Sequence, residues 1–267
     1  MTNPLVEKQT TALAVMNFEA DASAGFEQAD KDSYAIPFLR VLQALSPQLE
    51  KGNAEFIQGA TAGAILDTIN STLFDGEVGV MVIPCHYSRT FIEWVPRDAG
   101  GGYVAEHPPE SPVVAQGKRA EKGAALKLPS GNDLMDTRNH FVLARGLDGV
   151  WREALISMTS TNISTSKRWM SFMQGRRAFG TSGQPFTMPT YSGVYTLKTV
   201  LQRNDKGAWY TWAVEFLHDV DSLPTYEQAK SFARSVKSGK VKVDHASAEP
   251  LHGSSSEYVP GADDEHF

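Results

Sequence analysis

A single cysteine, Cys85, stands among the 267 residues. That scarcity excludes an intramolecular disulfide framework and a cysteine-based metal site, and it fits a reducing compartment. No apolar run approaches the roughly 20 residues that a membrane helix needs, and the start lacks the basic-then-apolar order of a signal peptide. The expectation is a cytoplasmic protein with no membrane partner. Glycine-rich phosphate loops are missing as well: Ser238-Gly239-Lys240 lacks the preceding glycine at Walker spacing, and Gly100 to Gly102 has no strand-to-helix context. The nearest approach to a catalytic group is His218, Asp219 and Asp221, at the end of an expected strand where polar residues occur in any case. Cys85 and His86 would point to opposite faces of a strand, which disfavours a thiolate pair. The sequence reads as no enzyme, with no cofactor and no metal.

Positive charge is absent from Asp244 onward, where six acids stand (Asp244, Glu249, Glu257, Asp263, Asp264 and Glu265). This stretch carries −6, which is the entire net charge of the chain. Rich in Ser, Gly, Pro and acid, it cannot bury enough apolar surface to offset its ordering entropy, so residues 244–267 are expected to be a disordered tail. Residues 1–36 hold six acids and two bases, which leaves residues 37–243 at +4. Within them, residues 151–203 carry seven Lys and Arg against the lone acid Glu153. An acidic protein thus has a basic middle, a candidate phosphate-facing patch.

Residues 1–33 read as a mobile N-terminal arm and residues 34–243 as one folded domain. The segment 36–45 packs apolar residues as a short helix or a buried strand. Two strands are expected at 78–83 and 87–95, on either side of Pro84. Residues 98–132 hold three consecutive glycines and four prolines with few large apolar residues, and so read as a long inserted loop that could cover a polyanion. Asp148-Gly149 marks a hairpin between strands at 140–144 and 151–158. A helix capped by Ser164 or Thr165 runs to about Gln174, with Trp169, Phe172 and Met173 on its apolar face. The clearest hairpin joins 194–202 to 209–217, and an amphipathic helix covers 226–236. Six or seven strands with few helices predict a mainly β fold, an antiparallel β-barrel with a long inserted loop and a few short helices.

Aromatic rings interleave with cations most densely in the basic stretch: Lys167, Arg168, Trp169, Arg176, Arg177, Tyr191, Tyr195 and Lys198, with Trp209 across the hairpin. Single-stranded DNA is held by rings that stack on bases and cations that track phosphates, so these nine form the candidate DNA-binding set. The competing reading for each ring is core packing, and for the cations a solvated face.

The chain closes on Asp263-Asp264-Glu265-His266-Phe267. An acidic end with a terminal aromatic resembles the tails of phage-encoded single-stranded DNA-binding proteins of short-tailed lytic phages, and the runs IPFLRVLQALSP at 36–47 and SMTSTNISTSKRW at 157–169 resemble segments that such phage proteins carry. In the bacterial version Ile and Pro precede the final Phe, whereas Glu265 and His266 stand here. The resemblance implies an oligonucleotide-binding (OB) barrel that coats single-stranded DNA during replication, recombination and repair. It also implies a tail in which Asp263, Asp264, Glu265 and Phe267 dock a polymerase, helicase or primase, and it includes homodimers. The alternatives are a phage structural or assembly protein and a strand-annealing recombinase. Removing residues 258–267 should leave oligonucleotide affinity equal or tighter while abolishing capture of a replication partner in a pull-down; a large loss of DNA affinity would contradict this reading.

Overall fold

The computed structural model describes residues 18–29, 33–119, 126–205, 207–241, 243 and 245. They fall in two compact units, Met1–Tyr34 and Ala35–Phe267. In the first, residues 18–29 form successive turns with every side chain exposed, Phe18 and Phe26 included. The second holds the strands β1 (Leu39–Val41), β2 (Ile65–Asp67), β3 (Leu73–Phe74), β4 (Val80–Trp94), β5 (Tyr103–His107), β6 (Lys118–Arg119), β7 (Leu126–Lys127), β8 (Asp133–Arg145), β9 (Trp151–Met158), β10 (Arg177–Phe179), β11 (Pro185–Thr187), β12 (Gly193–Asn204) and β13 (Gly207–Asp219). Its helices are α1 (Pro112–Gln116), α2 (Asn162–Gly175) and α3 (Leu223–Lys237). Among the described residues no helix is long and apolar enough to cross a membrane.

The fold is mainly β, as expected, and its principal sheet curls as an antiparallel half-barrel. The strand order is β13-β12-β4-β8-β7-β6, with β5 also on β4 and β9 also on β8. The two strands expected on either side of Pro84 are one, the 15-residue β4. Proline has no N–H to give to a ladder, and the pairing of β4 with β8 shifts register between Pro84 and His86, a bulge that absorbs the missing donor.

Alternation along these strands buries both faces at one end of the sheet. Val80 and Val82 of β4, Val142 of β8, Ile156 of β9 and Leu197 of β12 meet Trp169 and Met173 of α2. Ile83, Cys85, Phe141, Leu143 and Leu155 meet Ala229 and Phe232 of α3 on the opposite face. A sheet covered on both sides reads as near-continuous apolar sequence rather than clean alternation. Burial pushes the Cys85 thiol up to about 12, so its sulfur stays protonated and inert. Against α2, His140 Nε2 lies 2.8 Å from Ser166 Oγ, and its ring stacks on Trp169 at 4.6 Å.

A three-stranded sheet, β1-β2-β3, closes one side. Leu155 N–H donates to Pro37 O at 2.8 Å, and Phe38 bridges Leu155 in parallel. The outer edge of β13 is covered by side chains instead of a strand. Gln43 Nε2 donates to Tyr210 O, Tyr210 N–H donates to Gln43 Oε1, both at 2.9 Å, and Trp212 N–H donates to Asn162 Oδ1 at 2.9 Å. Such amides occupy backbone groups that would otherwise invite another chain. Gly63, at φ +90°, permits the close approach: a Cβ there would fall 2.5 Å from the Tyr210 ring.

The region 98–132 is not a structureless insertion. It contains β5, α1, β6 and β7, with residues 120–125 outside the described set. Val113, Val114, Leu126 and Leu128 pack on Phe91 and Leu134, and Ser111 caps α1 by accepting from Val113 N–H at 3.2 Å. The helices begin earlier than expected, α2 at Asn162 and α3 at Leu223 behind the Ser222 cap. The tail residues Asp263, Asp264, Glu265 and Phe267 lie outside the described residues. Inside the segment expected to be tail, His245 is 4% exposed.

The buried imidazole sets an acid limit. Burial pulls His140 down to about 3, against about 6.5 in an unfolded chain. The unfolded state therefore binds the proton first, and the stability held by the neutral ring is present above about 6.5 and lost as the pH falls toward 3. Denaturant midpoints should decline from pH 7 to pH 4, and less steeply in His140→Gln; equal slopes would contradict the assignment.

Candidate functional site

The nine expected DNA-binding residues do not share one surface. Trp169 and Tyr195 are core, 3% and 1% exposed, which removes both from the set of rings free to stack on bases. The spacing of Trp169 and Met173 turns the inner stripe of α2 onto the sheet, and Tyr195 meets Trp169 edge-on at 5.6 Å. Tyr191 lies toward α3, 5.3 Å from Tyr226. Tyr191 sits in the 3-10 turn Thr190–Ser192 that precedes β12, so strand alternation does not carry it onto the face of Tyr195. Lys198 pairs with Glu215 at 2.9 Å. Arg176 pairs with Asp219, donates to Ser192 Oγ at 3.0 Å and lies over the Phe216 ring at 4.8 Å. Trp209, half-buried at the start of β13, has its indole N–H buried without a partner.

What remains exposed is a strip running from α2 into the β10–β11 ribbon. Lys167, Arg168 and Arg177 are exposed and make no ion pair among the described residues. Phe172 is 49% exposed and sits 5.7 Å from Phe216, itself 40% exposed. On the ribbon, Phe179 is 76% exposed on the same strand face as Arg177, and Phe186 is 46% exposed on the other face. Phe172 and Phe216 pack on each other and on Tyr195, whereas Phe179 and Phe186 make no ring contact among the described residues; an exposed ring on the strand face of a cation suits a polyanion that carries aromatic bases.

A second feature is a groove of about 190 Å³ between β1 and the open part of the sheet. Its apolar walls are Phe38, Ile92, Trp94, Met135 and Trp212, and its polar lining includes Thr137, Ser157, Thr159, Asn162 and Gln43. Among the described residues that line it, none is acidic. Arg40 lines it with its guanidinium 5.3 Å over the Phe38 ring, and burial lowers its pKa. Trp94 is 8% exposed, with its indole N–H buried and unpartnered. His245 closes one end, between Phe38 at 6.4 Å and Tyr103 at 6.3 Å. Its Nε2 lies 3.4 Å from Glu106 Oε2, an ion-pair distance whose geometry makes no hydrogen bond, and this proximity holds the Glu106 carboxyl below its usual value.

Nearby, Glu93 accepts from Asn132 Nδ2 at 2.6 Å and meets His107 Nε2 at 2.8 Å, contacts that depress its pKa, the Asn132 bond most. Among the described residues no group of three or more His, Cys, Asp and Glu is placed to hold a metal. His218 and Asp219 stand exposed at the end of β13, where Asp219 serves Arg176.

A family model described as Pam3 phage gp34-like protein matches residues 6–242. The chain belongs to the Pam3 phage gp34-like family. The match covers the sheet and the ribbon and ends before the acidic tail. No curated protein and no solved structure matches the chain.

Phe186, Gln43 and the groove residues are absent from the expected set. Gln43, Ser157 and Asn162 become a site only through contacts between segments far apart in sequence. The exposure of Phe172 reverses the expected helix face, because the apolar stripe of α2 is only wide enough for Trp169 and Met173.

Proposed function

We propose that the chain is a sequence-tolerant single-stranded DNA-binding protein that coats DNA during phage replication and recombination and recruits replication proteins through its acidic tail. The exposed strip of Lys167, Arg168, Phe172, Arg177, Phe179 and Phe186 carries this reading. Each stacked base contributes about 1 to 3 kcal/mol, and the cations release counterions from the phosphates they neutralise. The partition of charge agrees: acids concentrate at the two ends and bases in the middle. The tail is then a mimic of the polyanion, held by the basic surface until DNA displaces it, with Phe267 as the apolar anchor for a polymerase, helicase or primase.

Fluorescence anisotropy with labelled dT30 and a matched duplex tests the proposal across a salt series. Wild type should prefer the single strand, with affinity falling linearly in log salt. Phe179→Ala should weaken binding about 5- to 150-fold, the span of one stacking contact, and reversing Lys167, Arg168 and Arg177 to Glu should flatten the salt slope. Absence of DNA binding together with incorporation into virions would favour a structural or assembly protein. Rings or filaments on DNA under the electron microscope would favour an annealing recombinase.

A further inference from the structure

We infer that the β10–β11 ribbon pairs with the same ribbon of a second copy of this chain, edge to edge along β10, so that two copies share one four-stranded sheet. A two-stranded ribbon standing alone is marginal in water, and three or more strands make a stable sheet. Here no third strand lies beside β10 and β11 among the described residues. Phe179 and Phe186 are left 76% and 46% exposed.

The ladder shows which edge is open. Gly180 N–H donates to Gln184 O at 2.9 Å and Met188 N–H donates to Arg176 O at 3.0 Å, so these pairs bond inward. By alternation Ala178 and Phe186 bond inward too, while the backbone groups of Arg177, Phe179, Pro185 and Thr187 point out of the ribbon. Pro185 has no N–H, which blunts the outer edge of β11. The outer edge of β10 keeps N–H and C=O at both Arg177 and Phe179, and no described strand or side chain bonds them.

That edge is self-complementary. With a two-fold axis beside Ala178, Arg177 of each copy stands opposite Phe179 of the other, and the two opposed pairs exchange their N–H and C=O groups. Their Cα atoms then lie about 5.5 Å apart, which lets a guanidinium cover a ring. A slip of two residues sets Arg177 against itself in one direction, where like charges repel, and leaves it opposite Thr181, beyond the strand, in the other. On the opposite face the two Ala178 side chains lie between the two Phe186 rings. The first face joins two rings and two cations in one platform, a consequence that rests on the proposal that the chain binds single-stranded DNA. Each stacking ring is then completed by Arg177 of the second copy. The three residues of β10 are far fewer than the roughly 20 to 30 a side of a standard interface, so a bound strand that holds two copies at high effective concentration strengthens the pairing.

Disulfide trapping on the full chain tests this. The opposed Ala178 residues form a non-hydrogen-bonded pair with Cα atoms about 4.5 Å apart, inside the span of a disulfide. Ala178→Cys should give a covalent dimer under oxidised glutathione, whereas Ser182→Cys at the exposed ribbon tip should not; Cys85 is buried and does not compete. Adding Phe179→Lys, which sets a cation against Arg177 in both pairs, should slow trapping in the free protein about 2- to 30-fold, the span of two cross-strand pairs. No dimer from Ala178→Cys with or without dT30, equal trapping through Ser182→Cys, or indifference to Phe179→Lys would overturn the pairing and leave single-strand binding, read separately by anisotropy, standing. A dimer trapped through Ala178→Cys in a chain that does not bind dT30 would uphold the pairing and overturn the shared platform.

Discussion

The ladder between β4 and β8 is the constraint on which the other elements depend. It runs from Val82 opposite Ala144 to Trp94 opposite Asp133 and takes its one irregularity at Pro84. Side chains alternate across it, so a one-residue slip of β4 against β8 would send Val82 to the α3 side and Ile83 to the α2 side, disrupting both cores. The bulge resets the parity. Beyond it, Thr90, Ile92 and Trp94 continue the face that begins with Ile83 and Cys85, and this face changes from a dry core under α3 to a partly polar groove under β1. One pair of strands therefore builds a stable end and an open end.

Function follows from what this arrangement leaves uncovered. With both faces buried at the closed end, the surfaces free to meet a ligand are peripheral: the outer side of α2, the short β10–β11 ribbon and the groove. The ribbon is too small to bury its own rings, so Phe179 stays in water on the face of Arg177 and Phe186 on the opposite face. By contrast, the cations that sit against the sheet are neutralised locally, Arg176 by Asp219 and Lys198 by Glu215. Formal charge counted along the sequence overstates the positive surface, because residues adjacent in space on β12 and β13 are far apart in the chain.

Local signals were legible in the sequence wherever one short-range effect dominates. The Asp148-Gly149 hairpin, the hairpin joining β12 to β13, and α3 with its Phe232 stripe all follow from turn chemistry and periodicity. Pro84 misled, since a proline normally ends a strand and here a bulge accommodates it. The glycines and prolines of 98–132 hid the alternation of β5 and the cap of α1. In the site, Lys167, Arg168 and Arg177 could be identified as surface cations because long charged side chains are seldom buried. Which rings are outside could not be read, because Trp169 and Phe172 differ only in their angle around α2, and the packing of β12 and β13 decides that angle.

Hydrogen exchange in the presence and absence of dT30 tests the central claim most directly, that the nucleic acid lies along α2 and the ribbon rather than across α3. The account requires slowed exchange in residues 162–187, with residues 223–237 unchanged. Protection confined to α3, with residues 162–187 exchanging as in the free protein, would contradict it.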